Sequence, residues 1–457
     1  MTEQSANLAA SIWSALGGAA DATKSLRFTA PGALPSAFAV TDLASASIAC
    51  AALAIAELID ARNASAPIVR VDRRLASFWF ASSIRPNGWS MAPPWDPIAG
   101  DYRTHDGWIR LHTNAPHHRA AAERIIGAQN DKDGVASAVS RWAAADLEAA
   151  IVEAGGCAAQ MRSLAQWSAH PQGRAVADEP LARIEATTRG AERNWPVDPS
   201  RPLAGIRVLD LTRVLAGPVA SRFLAGFGAD VLRIDPPHWN EPGVVPEVTL
   251  GKRCARLNLK DPNDQTRFHL LLTQADVLLH GYRANALERL GYDASARAQL
   301  NLGLIDVSLN AYGWSGPWRD RRGFDSLVQM SAGIADAGMR WKQSDRPFPL
   351  PVQALDHATG YLMAAAAVRG ITQRLATGRG TNARLALART AKLLTDLGDQ
   401  PALSTFARET PADRDPAIER TPWGDAQRLS APLSIDGAPM HWDLPACDLG
   451  SAEARWR

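Results

Sequence analysis

The stretch IRVLDLTRVLAGPVASRFLAGFGADVLRID, residues 206–235, decides the fold. Its first six residues form a short apolar run of strand type, and ADVLRID at its end forms another. Between them Pro218 suits a first helical turn, residues 219–227 read as helix, and Gly228 stops it. Strand, helix and strand at this pace make the unit of a parallel sheet with right-handed crossovers. The alternation continues through ARLNLK, a helix from about Pro262 to Gln274, then ADVLLHGY and LGLIDVSLNAYG. The expected fold is α/β, a Rossmann-like open parallel sheet flanked by helices, with a second, smaller α+β domain. That smaller domain opens with GDYRTHDGWIRLHTN, in which Asp106 and Gly107 read as a hairpin turn.

Such a sheet invites a test for dinucleotide binding. The turn after the first strand lacks the G-x-G-x-x-G spacing that lets backbone approach a pyrophosphate. Asp235 stands where a ribose-binding acid would, but without the glycines it does not make a NAD site. A CoA or nucleotide phosphate could still use strand ends and basic residues. The G-x-S-x-G of a serine hydrolase is absent, and His357, adjoining Asp356 on a helix, points elsewhere.

The wider composition sets limits. Across 457 residues, 46% are hydrophobic and 21% charged, which describes a globular chain with ample core. A net charge of +2 with scattered Lys and Arg argues against nucleic acid and against anionic membrane surfaces. Cys50, Cys157, Cys254 and Cys447 are far apart and form no framework, as in a reducing cytoplasm, and no signal peptide is evident. The apolar run 43–59 is short for a membrane span and reads as a buried helix. His112, His117 and His118 lack the convergence of a zinc site and read as solvated loop residues.

Two segments share one layout. In PLPVQALDHATGYLMAAAA, residues 349–367, Asp356 leads an alanine-rich helix after an extended segment that starts at Pro349. In LPSAFAVTDLASASIACAALA, Asp42 does the same after Pro35. Aligning the acids puts Ala44 on Ala358, Ser45 on Thr359, Ile48 on Leu362 and Arg70 on Arg384, which points to a duplication. An acid at a helix start is ordinarily an N-cap. It can also be a carboxylate nucleophile, kept anionic by the helix terminus, with free N–H groups for an oxyanion.

Several of these phrases together resemble the class III CoA-transferase family, also called CaiB/BaiF. They are LAGIRVLDLTRVLAGPVASRFLAGFGADVLRIDPP, GKRCARLNLKDP, DVLLHGYRANALERLGYD, LIDVSLNAYGWSGPWRDRRGFDSL and ALDHATGYLMAAAAVRGITQRLATGRG, in family order. TPWGDAQRLSAPLSIDGAPMHWDLPACDLGSA is similar to the family's C-terminal segment. The order of parts differs from the family's. Residues 1–97 are a helix-rich partial copy of the catalytic-helix region, 98–193 the small domain and 194–205 a linker. The CoA-binding core with the catalytic helix follows at 206–400, and 401–457 form a tail returning to the core.

The resemblance implies an enzyme that moves CoA between an acyl-CoA and a small carboxylic acid, with no permanently bound cofactor and CoA as substrate. Asp356 would attack the thioester, giving a mixed anhydride and CoA thiolate. The thiolate would return to form an aspartyl-CoA thioester, which an acceptor carboxylate resolves. CoA contacts would fall on Val214, Leu215, Ala216, Leu257, Lys260, Tyr282, Arg289 and Arg322, the cations meeting phosphates. Gly281 stands where the family has an asparagine near the adenine. The family assembly is an interlocked homodimer, and the permuted order alters its threading. Two other functions fit less well. Racemases of this fold carry a histidine where GFD here has Phe324, which cannot exchange a proton. A non-catalytic CoA-binding protein is the other, motivated by the rearrangement. Asp356, trailed by HATGY, is expected to be the nucleophile, and Asp42, trailed by LASAS, a structural cap.

Overall fold

The computed structural model describes residues 2–63, 66–127, 131–281, 286–399 and 404–457. Its main sheet has seven strands in the order Lys252–Arg256, Asp230–Asp235, Arg207–Asp210, Val277–His280, Ile305–Asn310, Arg379–Ala386 and Arg183–Arg189. The first six run parallel, and Arg183–Arg189 closes the edge antiparallel to Arg379–Ala386. The inner strands are apolar on both faces, as Val208, Leu209, Val277, Leu278 and Leu279 are all fully buried. That is the pattern of a parallel sheet covered on both sides. The sheet is therefore α/β as expected, with one antiparallel strand drawn from the stretch before the linker.

The smaller α+β unit has the antiparallel strands Gly100–Arg103, Trp108–Leu111 and Ala158–Gln160. Its hairpin turns at Asp106, whose carboxylate accepts from Thr104 Oγ1 and from the Ala144 N–H. The helices Pro116–Ile126, Lys132–Val139 and Ala144–Glu153 cover this sheet, around Ile109, Leu111, Val135 and Leu147.

Two long helices run through the main core. Ala354–Thr377 begins with Asp356 in its first turn, and Val40–Asn63 begins with Asp42 in its own. They pack against each other, and most of their alanines are fully buried. Small side chains let the two backbones approach, so the packing is dense without large residues. By length and composition Val40–Asn63 could cross a membrane, but 94% of its apolar window is buried inside the protein. Gly360 serves the same crowding, since a Cβ there would sit 2.3 Å from the carbonyl oxygen of Ala216.

The N-terminal segment is joined to the core and the tail by polar contacts as well. Leu433–Ile435 of the tail pairs with Val69–Asp72, and Gly424–Arg428 pairs with Ile84–Pro86. Glu247 sits at the junction. It accepts from Ser83 and Ile84 N–H and forms ion pairs with Arg222 and Arg428, all buried. Burial would raise this carboxyl, but the two guanidiniums overcome it and hold it at about 2.

Candidate active site

In an open α/β sheet, ligands bind beyond the carboxyl ends of the strands, where the strand order reverses. Here the chain goes from Arg207–Asp210 outward to one side, then returns to start the other side at Val277–His280. A cavity of about 350 Å³ opens at that point. The loop 211–217, Gly281 and Leu309 to Ala311 form its floor, while Arg321 to Phe324, His117 and His118 form its rim. Asp356, in the first turn of Ala354–Thr377, and Leu387, just after strand Arg379–Ala386, also line it.

The loop after the first strand is held by Asp210. This buried carboxylate accepts from Thr212 N–H at 2.8 Å and Oγ1 at 2.5 Å, and from Ser221 and Lys252. Burial pulls the Lys252 ammonium down to about 8, against the attraction of Asp210. Val214 then takes a left-handed backbone, φ 64°, a strained conformation for a β-branched residue. Its N–H donates to Glu241 Oε2 at 2.9 Å, which holds it there. Helix Ala216–Gly226 starts directly afterwards, and Leu215, Ala216 and Gly217 at its start line the cavity. Gly217 is required here, because a Cβ would lie 2.2 Å from the Thr212 side chain.

Asp356 is 8% exposed, and that exposure faces the cavity. It is not the cap of its helix. Gln353 occupies that position without a side-chain bond, and the cap comes from a different helix. Asp325 Oδ2 accepts from both Leu355 N–H and Asp356 N–H at 2.9 Å, while Gln329 Nε2 donates to Oδ1 at 2.5 Å. Among the described residues no donor pairs with the Asp356 carboxylate. Burial first, and then the negative charge of Asp325, push its carboxyl well above the ordinary range. Burial likewise lifts Asp325 to about 6, against the hydrogen bonds it accepts. This corrects the sequence expectation in two respects. The helix terminus does not dominate the Asp356 carboxyl, and the two N–H groups at 355 and 356 are engaged by Asp325 rather than free for an oxyanion.

Val214, Leu215, Ala216, Arg322 and Asp356 thus meet at one cavity. Leu257 is buried among Leu232, Ile234 and Leu278, and Lys260 and Arg289 are exposed outside the cavity wall. Tyr282 lies outside the described residues. Arg322 donates to Gly155 O at 2.6 Å, which ties the rim to the small domain. Asp235 is fully buried and paired with Arg233 and Arg213, so it offers nothing to a ribose.

The histidines depart most from expectation. His112 and His118 are 5% and 4% exposed, not solvated, because Phe324 comes across from the core. The His112 ring stacks on Phe324 at 3.7 Å, and His118 meets its edge. Sequence reasoning missed this contact because the partner lies some two hundred residues downstream; the phrase GFD was the available signal. Among the described residues no group of three His, Cys, Asp or Glu side chains is placed to hold a metal.

Parts of this chain are similar to known proteins. Residues 203–420 match the profile of CoA-transferase family III. An acyl-CoA transferase of Gibberella moniliformis is 29% identical over 304 residues, 61% of this chain and 53% of that protein. A probable fatty acyl-CoA transferase of Mycobacterium tuberculosis, Rv3272, is 31% identical over 195 residues, 40% of this chain and 49% of that one. A crystal structure of Rv3272 aligns over 44% of this chain and 57% of its own, with 29% identity and a TM-score of 0.39. The chain spans about half the length of these relatives. Residues 203–420, just under half of the chain, are thus similar to the class III, or CaiB/BaiF, CoA-transferases.

Proposed function

We propose that the chain transfers CoA between an acyl-CoA and a carboxylic acid, with Asp356 as the nucleophile. The observation that carries this is an acid without a counter-ion on a cavity at the sheet's switch point. A carboxylate held by no cation is a stronger nucleophile than one in an ion pair, provided it is ionised. In the proposed sequence the Asp356 carboxylate attacks the thioester carbonyl and expels CoA thiolate, leaving a mixed anhydride. The thiolate attacks the aspartyl carbonyl, and the original acid departs as carboxylate. The acceptor carboxylate then attacks the aspartyl-CoA thioester, and CoA thiolate finally takes the acceptor's acyl group and frees Asp356. Atoms and charge balance at each step. The N-terminus of Ala216–Gly226 and Arg322 supply positive potential to CoA at the cavity. In this reading the exposed Lys260 and Arg289 meet the CoA phosphates outside the cavity.

The test is direct. Asp356→Ala is expected to lose at least about 10³-fold in turnover. Its thermal stability should hold or rise, since the replaced carboxyl is buried without a partner. In the wild type, acyl-CoA plus hydroxylamine should leave a hydroxamate on Asp356, read by peptide mass spectrometry. An adduct on Asp42, or turnover retained in Asp356→Ala, rejects the assignment.

A second reading, proton exchange at the α-carbon of an acyl-CoA, draws on one observation. Phe324 replaces the racemase histidine, yet the imidazole of His118 lines the same cavity as Asp356. Deuterium entering the α-position of an acyl-CoA in heavy water would select this reading, and its absence alongside CoA exchange would reject it.

A further inference from the structure

A second cavity, about 230 Å³, opens beside the first and shares Val214, Trp239 and Phe324 with it. Its far wall is the proline-rich run before the small domain, Pro93, Pro94 and Trp95, closed against Pro242 and Val244. The closure is tight, since a Cβ on Gly243 would stand 2.8 Å from Pro93 O. Most of this surface is apolar. Asp96, Asn114 and Glu241 are engaged within the protein, and Asn240 Oδ1 accepts from Glu241 N–H at 3.0 Å. Asp96 accepts from Thr113 Oγ1 at 2.7 Å and pairs with Arg119 at 3.1 Å. Asn114 donates to Pro94 O, and Glu241 accepts from Val214 N–H and Trp239 Nε1 and pairs with Arg233.

His112 is the exception. It lines this cavity at 5% exposure, and among the described residues neither ring nitrogen has a hydrogen bond, with Nδ1 fully enclosed. Nδ1 is out of reach of a ligand, whereas Nε2 is not sealed off and has no partner among the described residues, so it is the ring nitrogen that a molecule in the cavity can meet. Burial first, then His118 and Arg110, hold this imidazole down to about 3, so it is neutral at working pH. The cations that reach the wall are engaged elsewhere, Arg110 with Asp101 and Arg119 with Asp96 and Glu123. Two carboxylates, Asp96 and Glu241, also line the space. A second carboxylate on an acyl group would enter without a free cation to meet it.

Resting on the reading of the first cavity as an acyl-CoA site, we infer that the second holds the acyl group. It selects an apolar chain or ring bearing a neutral hydrogen-bonding substituent, a hydroxyl or a carbonyl, that meets His112, and it rejects dicarboxylic acyl groups. A site built around such a hydrogen bond discriminates against a ligand that lacks the group.

The experiment compares hexanoyl-CoA, its hydroxy- and oxo-substituted analogues and succinyl-CoA as donors. The best substituted donor is expected to exceed both hexanoyl-CoA and succinyl-CoA in kcat/KM by roughly tenfold or more. His112→Phe should abolish the preference of the substituted donor over hexanoyl-CoA, read as the ratio of their kcat/KM values. A residue that only packs would lower all donors together and leave the ratio unchanged. Trp95→Ala, which opens the apolar wall, should weaken every monocarboxylic donor and serves if His112→Phe does not fold. A preference for succinyl-CoA, a substituted-to-hexanoyl ratio unmoved in folded His112→Phe, or a monocarboxylic-to-succinyl ratio unmoved in Trp95→Ala, overturns the inference while CoA transfer itself stands. If no donor is turned over, the transferase reading fails, and calorimetric titration of the same acyl-CoAs into wild type and variants decides the cavity. Equal affinity for the substituted acyl-CoA and succinyl-CoA, or no binding of either, overturns it.

Discussion

Asp42 and Asp356 open with the same local structure and end with opposite electrostatics. Each sits in the first turn of a 24-residue apolar helix, and each is nearly buried. Asp42 is enclosed by partners: Ser5 Oγ donates to it at 2.5 Å, and the fully buried Arg73 donates at 3.0 Å. The alignment that pairs the two acids pairs Arg73 with Leu387. Leu387 lines the cavity beside Asp356, so the place of a cation is taken there by an alkyl chain. On that alignment, the change from Arg73 to Leu387 accompanies the change from an acid in an internal ion pair to an acid that lines a cavity. Burial without a counter-ion raises the energy of a carboxylate, and a nucleophile can use that energy where a structural residue cannot.

The sharpest way to break the contrast is to transplant the arginine. Leu387→Arg should pair Asp356, fill the cavity wall and cut turnover by about 10³-fold or more. Near-normal activity in this variant would show that the missing cation is not what distinguishes the two acids.

The reverse experiment addresses the other copy. Asp42→Ala strands Arg73 in the core, so the expected loss is about 3–5 kcal/mol in urea unfolding, not the modest loss of a cap. That larger figure revises the sequence expectation, because the carboxylate serves Arg73 and Ser5. Arg73 itself also donates to Gly32 O and Ala30 O. Adding Arg73→Leu to Asp42→Ala should recover part of the loss. If the double variant is no more stable than the single one, the pair is not the source of the cost.

Glu247 offers a comparison with the same physics and another sign. Its carboxyl is held at about 2 in the fold, below the ordinary 4.5. A depressed acid contributes stability above its unfolded pKa and loses it as pH falls through the folded one. Stability of about 3 kcal/mol is therefore expected to disappear between roughly pH 5 and pH 2. Glu247→Gln should flatten that part of the stability profile, and an unchanged slope would count against it.

The smallest expected effect concerns Asp325. On the proposed mechanism Asp356 attacks as a carboxylate, so activity should fall as pH drops through its raised pKa. Asp325→Asn removes one cause of the elevation and keeps an acceptor for the helix N–H groups. The acidic limb of kcat/KM should move to lower pH. A limb that stays in place would leave burial alone as the cause.

The sheet was legible because its signals are local. Short apolar runs, Pro262 and Gly228 act within a few residues of themselves, and the helix Pro262–Gln274 appears with those bounds. The loop 211–217 and Asp356 were legible from motif resemblance for the same reason: each is a contiguous phrase. The Arg183–Arg189 edge strand was not, since only the Arg379–Ala386 neighbour makes that exposed run a strand. His112 and His118 were misread as solvated, and MAPPWDP passed as a boundary when it forms a cavity wall.

The sequence by itself determined the α/β alternation, the paired acid-led helices and the resemblance of residues 203–420 to CoA-transferase family III. Tertiary structure alone decided which acid is neutralised, which N–H groups are already taken and what surrounds His112. The reason is one of range. Strand and helix formation answer to neighbours in sequence, whereas burial and charge answer to whatever the fold brings within a few ångströms. For Asp42 that is Arg73, for Asp356 it is Asp325 and Leu387, and for His112 it is Phe324.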